Sequence, residues 1–286
     1  MENKIILLAE TGSDIPASVA KEKGIYLVPM HVTMGDETLD DGAFPPEEVC
    51  AYYDRTGKVP TTSASIPHDF TTVLTQIRRE HPGSQILHLA YSAVTTCSYQ
   101  NALLAGEGQT DIRSVDTKHV SVGQCAVVLA MADYLMSHPD ITLEQAAAEA
   151  ERISARTQMC FIPRNLDYLR AGGRVSNAVA LVGNLLGLHP CIEIIDGKLI
   201  AGKKYRGNMT KTVPTLIREY TEKHALDRSF LYFIQSPYLE EDVKQIAETT
   251  ARELGFRATE WIKTGCVITC HGGPGAFGIV GTCADQ

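Results

Sequence analysis

The sequence has eight cysteines but no CxxC pair. The closest two, Cys266 and Cys270, lack a second pair to complete a zinc site. Several lie inside apolar runs, as Cys125 does in Gly-Gln-Cys-Ala-Val-Val-Leu, where a reduced thiol packs as a small hydrophobe. Free, buried thiols in a reducing compartment are therefore expected. No apolar run approaches the ~20 residues of a membrane span. Ile5-Ile6-Leu7-Leu8-Ala9 is too short for the core of a signal peptide. A soluble, cytoplasmic protein is the expectation. Basic clusters are also missing. The formal net charge is −8, which argues against a non-specific nucleic-acid surface but not against a local anion site. There is no Walker A sequence and no Gly-x-Ser-x-Gly elbow, which removes the commonest ATPase loop and serine-hydrolase signatures. No low-complexity segment or internal repeat is visible.

What is present suits an ordinary globular chain. It has 286 residues, 44% hydrophobic and 21% charged, enough for two domains at roughly 150 residues each. Apolar runs at 5–9, 25–32, 85–91 and 112–115 read as strands. They alternate with helical patterns at 45–55, 69–79, 98–107 and 122–136, so the first half reads as a largely parallel sheet. Ser13 or Asp14 is expected to cap a helix with Pro16 in its first turn. An alanine-rich helix at 143–157 bridges to a different pattern. Helices are expected at 165–170, 178–186, 209–224 and 239–254. Strands are expected at 159–162, 230–234, 258–262, 267–270 and 277–280, with a hairpin of 191–195 and 198–201 about Asp196-Gly197. The fold class that follows is α/β in two domains. Residues 1–157 form a Rossmann-like parallel sheet with flanking helices, and residues 158–286 an α+β domain with a mixed sheet.

Two hydroxyl-rich stretches stand out. Thr61-Thr62-Ser63-Ala64-Ser65 and Ser92-Ala93-Val94-Thr95-Thr96-Cys97-Ser98 each precede an expected helix. Hydroxyls and free N–H groups at a helix start can serve as a cap or as a neutral cradle for an anion. Ser92 falls at the carboxyl end of an expected parallel strand, where open α/β sheets bind ligands. Arg174 follows Gly172-Gly173 and is suited to hold a phosphate or carboxylate by paired donors. His271 opens His-Gly-Gly-Pro-Gly-Ala-Phe-Gly. That stretch is not a dinucleotide fingerprint, because too little chain follows Gly278 for the required helix. It reads as a glycine loop between two strands, with His271 able to face a ligand. Cys270 and His271, adjacent on such a strand, would point to opposite faces and not form a nucleophile pair. Glu10 and Asp14 are candidate cation ligands, or alternatively capping groups.

Taken in order, these motifs resemble one family along essentially the whole chain. The matching stretches are Glu10 to Pro16, Val59 to Ser63, Ser92 to Ala102, Asp116 with Ser121 and Gly123, Leu166 to Ser176 around Gly172-Gly173-Arg174, Gly197 to Arg206, and His271 to Gly278. The chain resembles DegV proteins, the fatty-acid-binding subunits of bacterial fatty acid kinase. The resemblance implies a lipid between two α/β domains, with its carboxylate held by Thr62 and Ser92 and flanked by Ser63 and Ala93. It places Arg174 and His271 near the carboxylate, where they could support phosphoryl transfer. A separate ATP-binding kinase subunit would phosphorylate the bound long-chain fatty acid for phospholipid synthesis. No cofactor or metal is implied, and a transient membrane contact is compatible with the role. The sequence departs from the family pattern at Ala93, where a second serine is usual, and at Cys97 and Cys270. Two other readings stay open: a stand-alone enzyme on a small phosphorylated or carbonyl substrate using Arg174 and His271, and a lipid sensor without a kinase.

Overall fold

The computed structural model describes residues 4–175 and 187–284. The helix expected at 178–186, and Ser176, lie outside the described residues. The elements run β1 (Ile5–Glu10), α1 (Ala17–Lys23), β2 (Tyr26–Val28), β3 (His31–Met34), β4 (Glu37–Asp40), α2 (Glu47–Thr56), β5 (Thr61–Ser63), α3 (Pro67–Glu80), β6 (Gln85–Ala90), α4 (Ser98–Ala105), β7 (Ile112–Asp116), α5 (Ser121–Ser137) and α6 (Leu143–Arg156). They continue as β8 (Thr157–Ile162), α7 (Leu166–Gly172), β9 (Leu188–Ile195), β10 (Lys198–Arg206), α8 (Met209–Lys223), β11 (Phe230–Gln235), α9 (Glu241–Glu253), β12 (Ala258–Lys263), α10 (Cys266–Gly272) and β13 (Phe277–Thr282).

The first sheet has order β2-β1-β6-β7 and is parallel throughout. Its central strands are apolar on both faces because both faces are covered. Ile6, Leu8 and Ile86 pack on Phe70, Leu74 and Ile77 of α3. Leu7, Ala9, Leu87 and Leu89 turn the other way, toward Cys125 and Val128 of α5. The second sheet is mixed, with order β10-β9-β8-β13-β11-β12. One face, with Ile162, Phe233 and Phe277, is covered by Leu216 and Val243 of α8 and α9. The other face meets α5, which touches β1 and β6 on one side and β8, β11 and β13 on the other. A helix apolar all round belongs between two layers. The expected division at 157/158 falls one residue into β8.

Four local expectations are corrected. The run 25–32 is two strands, because Pro29 interrupts it and the chain crosses from the first sheet into a small third sheet, β4-β3-β5. Thr61-Thr62-Ser63 does not start a helix; it is the strand β5, pairing Thr62 with Val32. Helix α3 starts at Pro67, and Asp69 caps it by accepting from Ile66 N at 2.7 Å. Ser13 and Asp14 do not cap α1, whose N-cap is Pro16. Residues 267–270 are helical, within α10. The β-branched Val267-Ile268-Thr269 favours a strand, but Asp41 accepts from the N–H groups of Cys266 (2.8 Å) and Val267 (3.2 Å) and fixes a helix start instead.

The Asp196-Gly197 hairpin is formed as expected, both residues having positive φ (47° and 78°) as a type I′ turn requires. Gly278 is needed for close strand packing: a Cβ there would lie 2.7 Å from the Cys160 carbonyl oxygen and 2.9 Å from Ile234 Cδ1. Gly278→Ala is therefore expected to cost about 1–3 kcal/mol by overpacking the β8–β13 pair. Urea unfolding measures this, and a loss under about 0.5 kcal/mol would refute the close-packing argument.

Candidate functional site

A cavity of about 810 Å³, mouth included, opens between the small β4-β3-β5 sheet, α10 and the second sheet. Its walls are mainly apolar, with Met30, Val120, Met159, Phe161, Leu199 and Ile234 among them. Hydroxyls and two basic side chains collect on one stretch of the lining: Thr62, Ser63, Thr95, Thr96, Arg174 and His271. They come from four parts of the chain. Thr62 and Ser63 lie on β5, and Thr95 and Thr96 on the loop between β6 and α4. Arg174 follows the left-handed Gly173 (φ 61°) that ends α7, and His271 sits in the last turn of α10.

The central contact is between Thr62 Oγ1 and His271 Nε2, 2.9 Å apart and 209 residues apart in sequence. His271 shows surface to the cavity it lines and is otherwise enclosed. Burial, with the nearby Arg174 charge, pushes its pKa down from 6.5 to about 4. The ring is therefore neutral at pH 7. A neutral imidazole and a threonine carry two protons between them, and their mutual bond uses one. With the proton on Nε2, His271 donates to Thr62 and the Thr62 proton remains for a ligand; with it on Nδ1, the spare proton is buried against Gly172. Among the described residues Nδ1 has no hydrogen-bond partner, and it packs against Gly172, where a Cβ would collide with it. That collision explains why α7 must end in glycine opposite His271.

Arg174 is exposed, with Nη1 donating to the Gly172 carbonyl at 2.7 Å and Nε to that of Thr95 at 3.4 Å. Ser92 is elsewhere. It is fully buried and donates to the Gly197 carbonyl at 2.8 Å, and it is not among the residues lining the cavity. Nor is Ala93, whose N–H goes to Asp116 Oδ1 at 3.2 Å. The second hydroxyl stretch thus reaches the cavity through Thr95 and Thr96, three and four residues further on. It also braces the first stretch: Ser98 Oγ accepts from Ser65 N, and Asn101 donates to Ser65 O. The signal for Thr95 and Thr96 was present in the same hydroxyl run, but strand-end position favoured Ser92.

Glu10 and Asp14 are both committed within the protein. Glu10 accepts from Tyr91 N (2.9 Å) and Gln124 Nε2 (2.8 Å) and faces His88 Nε2 at 3.3 Å. Burial works against its charge, but His88 and these donors outweigh it and lower its pKa. Asp14 bonds Ser121 Oγ (2.5 Å) and accepts from Gly265 N (2.7 Å). Burial raises its pKa well above the usual carboxylate value. Cys270 and His271 share a helix and not a strand, so the opposite-face argument against a nucleophile pair does not hold. Burial instead raises the Cys270 thiol far above neutrality and makes it a poor nucleophile.

The profile of the DegV family, described as uncharacterised proteins, matches residues 4–282. The chain belongs to the DegV family. A DegV domain-containing protein of Caldanaerobacter subterraneus is 26% identical over 280 residues, 96% of this chain and 98% of its own. A fatty acid-binding protein of Thermotoga maritima is 28% identical, covering 96% of each chain. Among solved structures, a fatty-acid-binding DegV protein from Thermus thermophilus superposes with a TM-score of 0.87. It is 26% identical, and the match covers 98% of this chain and 100% of that one. The Streptococcus pneumoniae fatty acid kinase B3 protein, loaded with linoleic acid, shares the fold at a TM-score of 0.82 and 17% identity, with 98% and 100% covered.

The depressed pKa of His271 has a definite sign. Its stabilising contribution is complete above the unfolded value of 6.5 and is lost as pH falls through about 4. Histidine ring NMR is expected to show His271 titrating near 4. In urea melts at pH 7 and pH 4.5, His271→Asn should lose less stability on acidification than the parent protein. Titration near 6.5 would overturn the buried-neutral assignment.

Proposed function

We propose that this chain is a non-catalytic carrier for a long-chain fatty acid. The tail fills the apolar cavity, and the carboxylate is received by Thr62 and His271 with Ser63 beside them. The observation that carries this reading is a neutral Thr62–His271 pair, with the Thr62 proton free when His271 donates from Nε2, on the wall of a mainly apolar cavity. Burying the tail contributes roughly 0.8 kcal/mol per CH₂, so the head group need only orient the acid. The fatty-acid-binding Thermotoga and Thermus relatives support the ligand class. Ser92 acts, on this reading, by fixing the hairpin tip through Gly197, with Ala93 beside it as backbone support. It reaches the carboxylate only where that bond gives way.

The carrier presents its ligand to a separate ATP-dependent kinase subunit that forms the acyl phosphate. Arg174, exposed at the cavity, is placed to offset charge that develops on transfer. The proposal places the protein in the cytoplasm. It agrees with eight free cysteines and with the absence, among the described residues, of any helix long and apolar enough to cross a membrane. Loading from a membrane surface would then be a transient contact.

Solvent extraction of the denatured, purified protein followed by lipid mass spectrometry is expected to release a long-chain acid. A lipid-free protein that also ignores added palmitate and oleate would sink the reading. Thr62→Ala should weaken binding by about 1–3 kcal/mol, the range for a hydrogen bond to a charged group. Ser92→Ala should instead lower stability more than affinity. Equal affinity losses in the two variants would return Ser92 to the carboxylate.

A further inference from the structure

The cavity has polar groups away from Thr62 and His271. Ser121, Ser236 and Thr264 also line it, and each is under 5% exposed. Ser121 is committed to Asp14. The other two are not fully used. Ser236 Oγ accepts from Ala276 N at 2.7 Å, and its own proton has no acceptor among the described residues. Thr269 Oγ1 donates its single proton to the Gly265 carbonyl at 2.7 Å. The 2.9 Å contact between Thr264 and Thr269 is therefore donated by Thr264, which leaves the Thr264 lone pairs open. This wall offers one donor and one acceptor, the complement of a single hydroxyl group.

The wall also has a definite place along the cavity. Thr264 immediately precedes the N-cap of α10, and His271 lies in its last turn. Five helical steps of 1.5 Å and two non-helical ones put them on the order of 10 Å apart. An extended acyl chain advances about 1.25 Å per carbon, given C–C bonds near 1.5 Å. A chain running alongside α10 from Thr62 and His271 would meet this wall at about the eighth carbon or beyond. Ser236 and Thr264 also line a second recess of about 420 Å³ that includes Glu47, Lys244 and Lys263. Two small side chains thus separate the oily cavity from a polar one.

We propose that Ser236 and Thr264 form a subsite for an oxygen substituent on the acyl chain, and that the preferred ligand is a long-chain acid hydroxylated near its middle. This rests on the fatty-acid reading above. A buried donor without a partner is costly, and an unsubstituted chain offers the Ser236 proton no acceptor from the cavity side. A mid-chain hydroxyl donates to Thr264 Oγ1 and accepts from Ser236. A hydroxyl beside the carboxylate cannot reach them.

The test is calorimetry on the delipidated full chain with stearate, 10-hydroxystearate and 2-hydroxystearate. The 10-hydroxy acid is expected to bind about fivefold to tenfold tighter than stearate, and the 2-hydroxy acid to show no such advantage. The ratio of the 10-hydroxystearate and stearate affinities should fall to about one in Ser236→Ala and Thr264→Val, and persist in Thr264→Ser. Because the readout is a ratio, a general weakening of the cavity cannot mimic the result. Stearate binding with no preference for the 10-hydroxy acid overturns the subsite alone, as does a preference that survives both substitutions. Failure of all three acids to bind overturns the fatty-acid reading together with it.

Discussion

The site depends on how the N-terminus of helix α10 is held. Asp41 accepts from the N–H groups of Cys266 and Val267, and Asp14 accepts from that of Gly265. Both carboxyls come from the first 41 residues, yet they satisfy the orphan donors of a helix near the end of the chain. Both are under 10% exposed, and burial raises the pKa of each. Two adjacent ionised acids would be expensive in such surroundings. The positive end of the helix and the Ser121 hydroxyl reduce that cost. Once α10 is docked, His271 is carried to within 2.9 Å of Thr62. His271 is on α10 and Thr62 on β5 of the small third sheet, and the anchor helps to seat α10 against that sheet.

A second constraint is the position of α5 between the two large sheets. Val127, Val128 and Met131 are fully buried because strands lie on both sides. The one strongly polar group in this layer, Gln124, donates to Glu10 and to the Leu89 carbonyl. The N-terminus of α5 meets the cavity, where Val120 and Ser121 line it. Ser121 has a positive φ of 49°, a strained value for a non-glycine residue. Its bond to Asp14 joins the start of α5 to the anchor of α10. The two helices that border the cavity therefore share one buried carboxyl group, which couples the packing of the central layer to the placement of His271.

Much of this was legible in the sequence because it is local. The runs at β1 and β6, the all-apolar α5 and the Asp196-Gly197 hairpin each contain their own instruction. The site was legible only through motif order. Thr62, Arg174 and His271 converge on one cavity, yet no periodicity joins residues so far apart in the chain. Where the structure departs from what local pattern suggests, the cause is shared. The β-branched run at 267–269 became helical because Asp41 supplies its first-turn acceptors from far away in sequence. Ser92 had the right strand-end position, but Gly197 comes close enough to take its hydroxyl; a Cβ on Gly197 would lie 2.6 Å from Ser92 Oγ. In each case a long-range partner outweighed local propensity.

The character of the mouth also bears on what a carrier needs. A lysine or an imidazolium in this position would form an ion pair with a carboxylate at low dielectric, a strong grip that opposes transfer. Here His271 is held neutral, and Arg174, the cation that lines the cavity among the described residues, is exposed and already donates to two backbone carbonyls. On the proposed reading, affinity comes from the tail and orientation from the head. The carboxylate then stays nucleophilic, because no full positive charge is locked against it. It follows that discrimination among ligands cannot reside at the mouth, which any long-chain acid would satisfy equally. On the proposed reading it falls to the wall along the chain, where Ser236 and Thr264 add hydroxyls to an oily lining.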